Sequence, residues 1–295
     1  MRPVSTQTAV LTLVGTVLMC GTTAADATEA APPPDLTVQQ FFSEGWTDKW
    51  VKRSRPDGAP DLTLLRVQSN LLLQSLRTDG FIESPTSASG DSRVSSVTPL
   101  VEYAVNRRLM PGFFVNHQEI DRTSGGGREG WTYGGLVRLQ LIDTANMSYA
   151  INWKMTAPNS GLGEHQTLAG FALAGWHNLR PLGLGRTGLY WHLQEETLLG
   201  PRVPGARQNN LTYDVSLART WTSAGESMGL LSTFIETYFK TDLDGHHSGR
   251  TVVTLTPGVR TTLAHHHVIM LGVDFPLSTP KPYDQLYRLT YIYSF

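Results

Sequence analysis

From Leu62 to its last residue the chain has no run of 18 apolar residues, yet apolar and polar side chains alternate with a period of two through one segment after another. A membrane helix needs about 20 consecutive apolar residues, so helical spans are excluded. Alternation in segments of about ten residues is instead the signature of a barrel strand, whose successive side chains face opposite sides of a sheet. The final segment is the clearest: Tyr287, Leu289, Tyr291, Tyr293 and Phe295 share one face, and Arg288, Thr290 and Ser294 lie on the other. Met147, Tyr149, Ile151, Trp153 and Met155 alternate in the same way with Ser148, Asn152, Lys154 and Thr156. So do Leu189, Trp191 and Leu193 with Tyr190, His192, Gln194 and Glu196, and Leu211, Tyr213, Val215 and Leu217 with Thr212, Asp214 and Ser216. A water-soluble barrel has the same period, so alternation alone does not place the outer face in lipid.

The connections provide a second test. Strands are expected at 62–76, 94–106, 111–121, 131–142, 147–157, 167–178, 187–198, 210–221, 229–241, 250–263, 267–277 and 285–295. The linkers between them then alternate. Those at Arg107-Arg108, Asp143-Thr144, Arg180 to Gly185, Ser223 to Glu226 and Ala264-His265 are short to moderate. Those holding Ser84 to Asp91, Ser124 to Gly130, Asn159 to Glu164, Pro201 to Arg207, Asp242 to Ser248 and Ser278 to Asp284 are mostly longer and richer in Gly, Pro and Ser. Short periplasmic turns and long external loops are what an even-stranded barrel with both ends in the periplasm requires. The expected fold is therefore all-β, a closed antiparallel transmembrane β-barrel of about twelve strands with Phe295 on the periplasmic side.

The opening residues have the form of an export signal. Arg2 supplies charge, Ala9 to Cys20 is a mostly apolar run, and Ala25-Asp26-Ala27 is a small-x-small cleavage site. The expected organisation is a signal peptide over 1–27, a Pro-rich and aromatic periplasmic lead-in over 28–61, and the barrel over 62–295. Cys20 is the one cysteine, and Met19 before it is too large for a lipoprotein box; cleavage after Ala27 leaves no thiol for disulfides, metal sites or nucleophilic chemistry. In the lead-in, Phe41, Phe42, Trp46 and Trp50 form an aromatic cluster that packs on a neighbouring surface, plugs a lumen or docks a partner. A net charge of −1 over 295 residues, 17% of them charged, gives no electrostatic footprint for nucleic acid.

Hydrocarbon demands that every backbone polar group be paired internally, so a sheet spans a bilayer only by closing on itself. Tyr133, Trp153, Trp176, Trp191, Trp221, Tyr238 and Tyr293 lie near strand ends and suit interfacial girdles. The opposite face carries groups that lipid rejects: Arg66, Gln68, Asn70, Glu102, Asn116, Gln118, Arg138, Gln140, Asn152, Lys154, His192, Glu196, Asp214, Glu236, Lys240, Arg260 and Arg288. An Arg or Lys toward lipid at mid-depth costs about 2–4 kcal/mol, so these side chains are expected to line the lumen, with crossed Arg–carboxylate pairs among them. An outer-membrane location follows, with the bilayer, the barrel assembly machinery acting on the strand that ends at Phe295, and a small-molecule permeant as partners. No cofactor is expected.

The run Pro257-Gly258-Val259-Arg260, Leu271-Gly272-Val273-Asp274-Phe275-Pro276-Leu277, Pro280, Tyr283-Asp284 and Arg288 to Phe295 resembles the end of the outer-membrane family of transporters of the meta-pathway of phenol degradation. The Phe41 to Trp50 segment is similar to a lead-in of some members. This resemblance implies passage of hydrophobic or aromatic compounds.

Other chemistry is sparse. His246-His247 beside Asp242 and Asp244 could form a weak metal site, but a solvated external loop explains them as well; His265-His266-His267 falls in a short turn whose neighbouring side chains diverge. Gly125-Gly126-Gly127 lacks the strand-then-helix context of a phosphate cradle. His192, Ser216 and Asn152 are the residue types of a barrel lipid hydrolase, but no local motif joins them. A channel or transporter is the leading expectation; a lipid hydrolase and a structural barrel are the alternatives.

Overall fold

The computed structural model describes residues 33–51, 53, 60–84, 92–122, 126–158, 166–200, 207–223, 228–279 and 281–295. The expected export signal with Cys20, and residues 85–91, 123–125, 159–165, 201–206, 224–227 and 280, lie outside the described residues.

Twelve antiparallel strands close into one barrel. They are β1 Gln74–Ser84, β2 Ser92–Tyr103, β3 Leu109–Arg122, β4 Arg128–Asp143, β5 Met147–Thr156, β6 Thr167–Asn178, β7 Thr187–Leu199, β8 Asn209–Thr220, β9 Ser232–Asp242, β10 Thr251–Leu263, β11 His267–Pro276 and β12 Gln285–Ser294. Each strand pairs with its neighbours in sequence, and β1 meets β12 from Ser75↔Ser294 to Ser84↔Gln285, which seals the last edge. Gln74 and Phe295 lie together at one end, here the terminal rim, where the Phe295 N–H donates to the Gln74 carbonyl at 3.1 Å. The turn at that rim between β10 and β11 places Ala264 and His265 at positive φ, 47° and 62°. That backbone matches the twist of a hairpin.

Burial along the strands is inverted relative to a water-soluble protein. On β8 the buried residues are Asn210, Thr212, Asp214, Ser216, Ala218 and Thr220, and the outward ones are Leu211, Tyr213, Val215 and Leu217. Trp131, Tyr133, Trp153 and Phe171 are each more than half exposed on the outside. Water would be a poor solvent for such a surface, and hydrocarbon a good one.

The first expected strand is misplaced. Residues 62–73 are not wall; β1 begins at Gln74, and the barrel is therefore 74–295. Pro60–Leu73 turns inside the barrel instead. Leu62, Leu64, Leu65 and Val67 pack with Trp176, Tyr190, Ala218, Phe234, Val268, Met270 and Ile292 near the terminal rim. The segment then rises to Arg66–Ser69 and descends to Leu72 and Leu73, which pack with Ala104 and Met110. Gly272 leaves a dimple that Leu65 fills, since a Cβ there would strike the Leu65 side chain.

The lead-in caps the same rim. Leu36 bridges to Asp143 through two backbone hydrogen bonds of 3.0 and 2.9 Å. Arg108, fully buried, donates to the carbonyls of Glu44 (2.9 Å), Gln140 (3.0 Å), Leu141 (2.9 Å) and Thr37 (3.2 Å), tying lead-in to wall. Phe41 lies under the Arg108 guanidinium and against Trp46, and the Trp50 indole donates to the Leu72 carbonyl at 3.2 Å. Phe42 alone of this cluster points away, 92% exposed. The aromatic cluster thus packs on the barrel rim, and the segment that fills the interior is the one after it.

Leu271 sits mid-strand on the outer face of β11. Leu271→Arg is expected to cost about 2–4 kcal/mol in urea titrations of the barrel in phosphocholine vesicles. A loss below about 0.5 kcal/mol, the range of an ordinary surface change, would contradict a lipid-facing position.

Candidate functional site

The polar interior and the inner segment form one bonded unit, built from three clusters. On the β9–β12 side, Asp274 is fully buried and collects Arg66 Nη2 (3.1 Å), Arg288 Nη2 (2.9 Å), Arg288 Nε (2.9 Å) and the Thr256 hydroxyl (2.6 Å). Glu236, also fully buried, accepts the Arg66 N–H (3.1 Å) and the Val67 N–H (3.1 Å), so a wall carboxylate holds the backbone of the inner segment. The Arg66 guanidinium lies 4.0 Å from the centre of the Tyr238 ring. Charge-assisted bonds of this kind are roughly twice as strong as neutral ones and need a dry environment to be so.

On β7, His192 Nδ1 accepts the Gln68 N–H at 3.1 Å, which leaves its proton on Nε2 in the neutral ring. The Gln68 amide meets Gln194, whose own amide donates to Glu196 at 2.6 Å. Asp214, opposite His192 in the β7–β8 register, is fully buried, and its two carboxylate oxygens have no hydrogen-bond partner among the described residues. Arg66 Nε and Nη1 likewise lack one.

On the β1–β5 side, Arg138 pairs with Glu102 at 3.3 Å, donates to Asn152 at 2.5 Å and reaches the Leu71 carbonyl. The Asn152 amide donates to the Ser69 carbonyl at 3.3 Å, and Asn70 to Asp61 at 2.8 Å. Gln140 bonds Ser148 at 2.8 Å. Toward the far rim, Ser96 and Thr98 donate to Asn116 at 2.5 and 2.8 Å, and Lys154 lies 4.8 Å from the Phe114 ring centre. Gln118 and Lys240 are half-buried on β3 and β9. The guanidinium of Arg260, buried on β10, donates to the Thr262 hydroxyl at 2.8 Å.

All seventeen residues singled out in the sequence are thus buried or half-buried. Arg66, Gln68 and Asn70 reach the interior on the inner segment rather than on a strand. Asp274, which joins two arginines, is not among the seventeen; a single acid between apolar neighbours carries no signal until its partners are placed. The His192, Ser216 and Asn152 trio is not assembled: His192 serves Gln68, Asn152 serves Arg138 and Ser69, and the Ser216 hydroxyl has no partner among the described residues. Asp242 and Asp244 are engaged by Arg207 and by Gln208 and Asn209, and His266 and His267 by Ser294 and Tyr291.

No family model and no curated protein matches the chain. Solved structures do. An outer-membrane channel from Pseudomonas putida F1 superposes with a TM-score of 0.52 at 13% identity, covering 76% of this chain and 97% of that one. The β domain of the Bordetella autotransporter BrkA gives 0.50 at 12%, over 75% and 99%. The NanC porin gives 0.50 at 8%, over 75% and 98%. At these identities the likeness is one of fold: this chain has the architecture of an outer-membrane β-barrel.

Arg138→Ala would leave Glu102 as a buried, uncompensated carboxylate. The expected loss of unfolding free energy is about 3–5 kcal/mol, with partial recovery on adding Glu102→Gln. Urea titration of the single and double variants measures both; no recovery would contradict the pairing.

Proposed function

We propose that the protein is an outer-membrane channel or transporter for small molecules whose lumen is held shut by its own segment Pro60–Leu73. The observation that carries this is the way that segment is fixed. Away from the rim its contacts with the wall are polar: two backbone N–H groups on Glu236, one on His192, carbonyls of Ser69 and Leu71 on Asn152 and Arg138, and the Arg66 guanidinium on Asp274. A permanent filler would be expected to pack an apolar core throughout. Twelve strands leave room for a slim passage once the filler moves.

In this reading the terminal rim faces the periplasm, the machinery that inserts barrels takes the β12 edge ending at Phe295, and the seventeen polar residues line the path or secure its plug. The sequence resemblance to transporters of the phenol meta-pathway favours a hydrophobic or aromatic permeant. The aromatic rings that face the interior beside cations, Phe81, Phe114 and Tyr238, suit such a molecule. The absence of an assembled His192–Ser216–Asn152 site favours conduction over lipid hydrolysis.

Glu236→Ala removes the acceptor for two backbone donors. In planar bilayers it is expected to raise the open fraction at least tenfold over the parent protein, with the folded barrel retained on unheated gels. Equal, silent traces from both proteins would overturn the plug as a gate.

A further inference from the structure

Buried guanidinium groups in this barrel follow a rule. Arg53 pairs with Asp35 and Asp143, Arg66 and Arg288 with Asp274, Arg77 with Asp79, and Arg138 with Glu102, while Arg108 spends its donors on four carbonyls. Two arginines break it. Arg186, just before β7, donates Nη1 to the Thr222 carbonyl at 3.0 Å, and Arg260 on β10 donates Nη1 to the Thr262 hydroxyl at 2.8 Å. Neither has a carboxylate within ion-pair distance among the described residues, and the Nε of each is buried with no hydrogen-bond partner.

The two exceptions belong to one place. Thr220 donates its N–H to the Arg186 carbonyl, Thr220 pairs with Ser232, and Ser232 pairs with Arg260, so the four residues form one row across β7, β8, β9 and β10. Paired residues share a face, and Thr220, Ser232 and Arg260 are buried. Arg186 and Arg260 flank two hydroxyls, Thr220 Oγ1 and Ser232 Oγ, which lie 2.9 Å apart. Three strand spacings separate the outer members, about 14 Å between Cα atoms, a span within the combined length of two arginine side chains. Arg260 is buried and Arg186 half-buried, and a cation held away from water without a counter-charge is costly, so among the described residues this row is short of negative charge.

We infer that this row, Arg186–Thr220–Ser232–Arg260 at the terminal rim, is a binding site for a small oxyanion of the phosphate type. Guanidinium forks match tetrahedral oxyanions by paired N–H donors, and the bonded hydroxyl pair leaves one further O–H donor between them. Chloride lacks the separate oxygens that several donors need. The site lies at the mouth, on the opposite side of the apolar knot of Leu62, Leu64 and Leu65 from the Asp274 cluster, and its occupancy does not depend on conduction.

Calorimetric titration of the detergent-solubilised full chain with inorganic phosphate, at ionic strength held constant with chloride, tests this. One saturable site is expected. Arg186→Gln should weaken it at least tenfold, and Arg260→Gln likewise if that variant folds. Arg219→Gln, whose side chain stacks outward on Trp221, should not. Glycerol phosphate run in parallel reports the source: competition with phosphate identifies a monoester head as an accepted ligand, and its exclusion identifies the free anion, either result supporting an oxyanion site. No heat at millimolar phosphate, an adventitious response shared by Arg219→Gln, or full affinity in Arg186→Gln would overturn the assignment.

Discussion

The pairing of β1 with β12 is the constraint on which the other features depend. A sheet edge in hydrocarbon exposes a row of N–H and C=O groups, each costing several kcal/mol, and only closure removes them. Once the ten-residue seam from Ser75↔Ser294 to Ser84↔Gln285 is made, inside and outside become different solvents. The seam also explains why β12 is so aromatic. The outward residues of β1 are Leu76, Thr78, Gly80 and Ile82, a thin apolar face, and their partners are Tyr293, Tyr291, Leu289 and Tyr287. Large side chains on one strand cover what small ones leave bare on the next, which is how cross-strand pairs stabilise a sheet.

Closure creates a second problem, a polar interior that must be satisfied without bulk water. The inner segment answers it. Its backbone N–H and C=O groups are matched to Glu236, His192, Asn152 and Arg138, and its one arginine to Asp274. The same contacts that satisfy the wall therefore hold the inner segment, so the stability of the barrel and the placement of that segment are coupled through the same side chains. Asp214 and the idle donors of Arg66 mark where this matching is incomplete. Incomplete matching of buried polar groups is where a second arrangement of the segment costs least.

Strand number and most boundaries were legible because lipid imposes a strict period of two on the outer face. Eleven of the expected strands, from the second to the last, agree with those of the structure to within three residues at either end, with β6 reproduced at 167–178 and β7 within one residue, whereas the first shares only 74–76 with β1. The first was lost for a physical reason. Leu65, Val67, Ser69 and Leu71 against Arg66, Gln68 and Asn70 alternate as a strand would, but the alternation reflects packing against an apolar knot on one side and polar wall groups on the other. The real β1, with Thr78 and Gly80 outward, carries almost no outward signal and borrows its cover from β12. The interior residues were legible as a set, since charge cannot face lipid, but their partners were not, because register across nonadjacent strands and the path of the inner segment are tertiary facts. Asp274 shows the limit: a single acid among apolar neighbours reads as unremarkable until two arginines converge on it.

The central claim is that successive residues of each strand see lipid and a filled interior in turn. Nitroxide labels placed singly at each position from Gln285 to Ser294 of β12, in reconstituted vesicles, measure it through collisions with oxygen in the bilayer and with a water-soluble nickel complex. The account predicts an oxygen accessibility of period two, high at 287, 289, 291 and 293, with 286, 288, 290 and 292 shielded from both reagents. A profile without that period, or even positions freely open to the nickel complex in the resting protein, would contradict it.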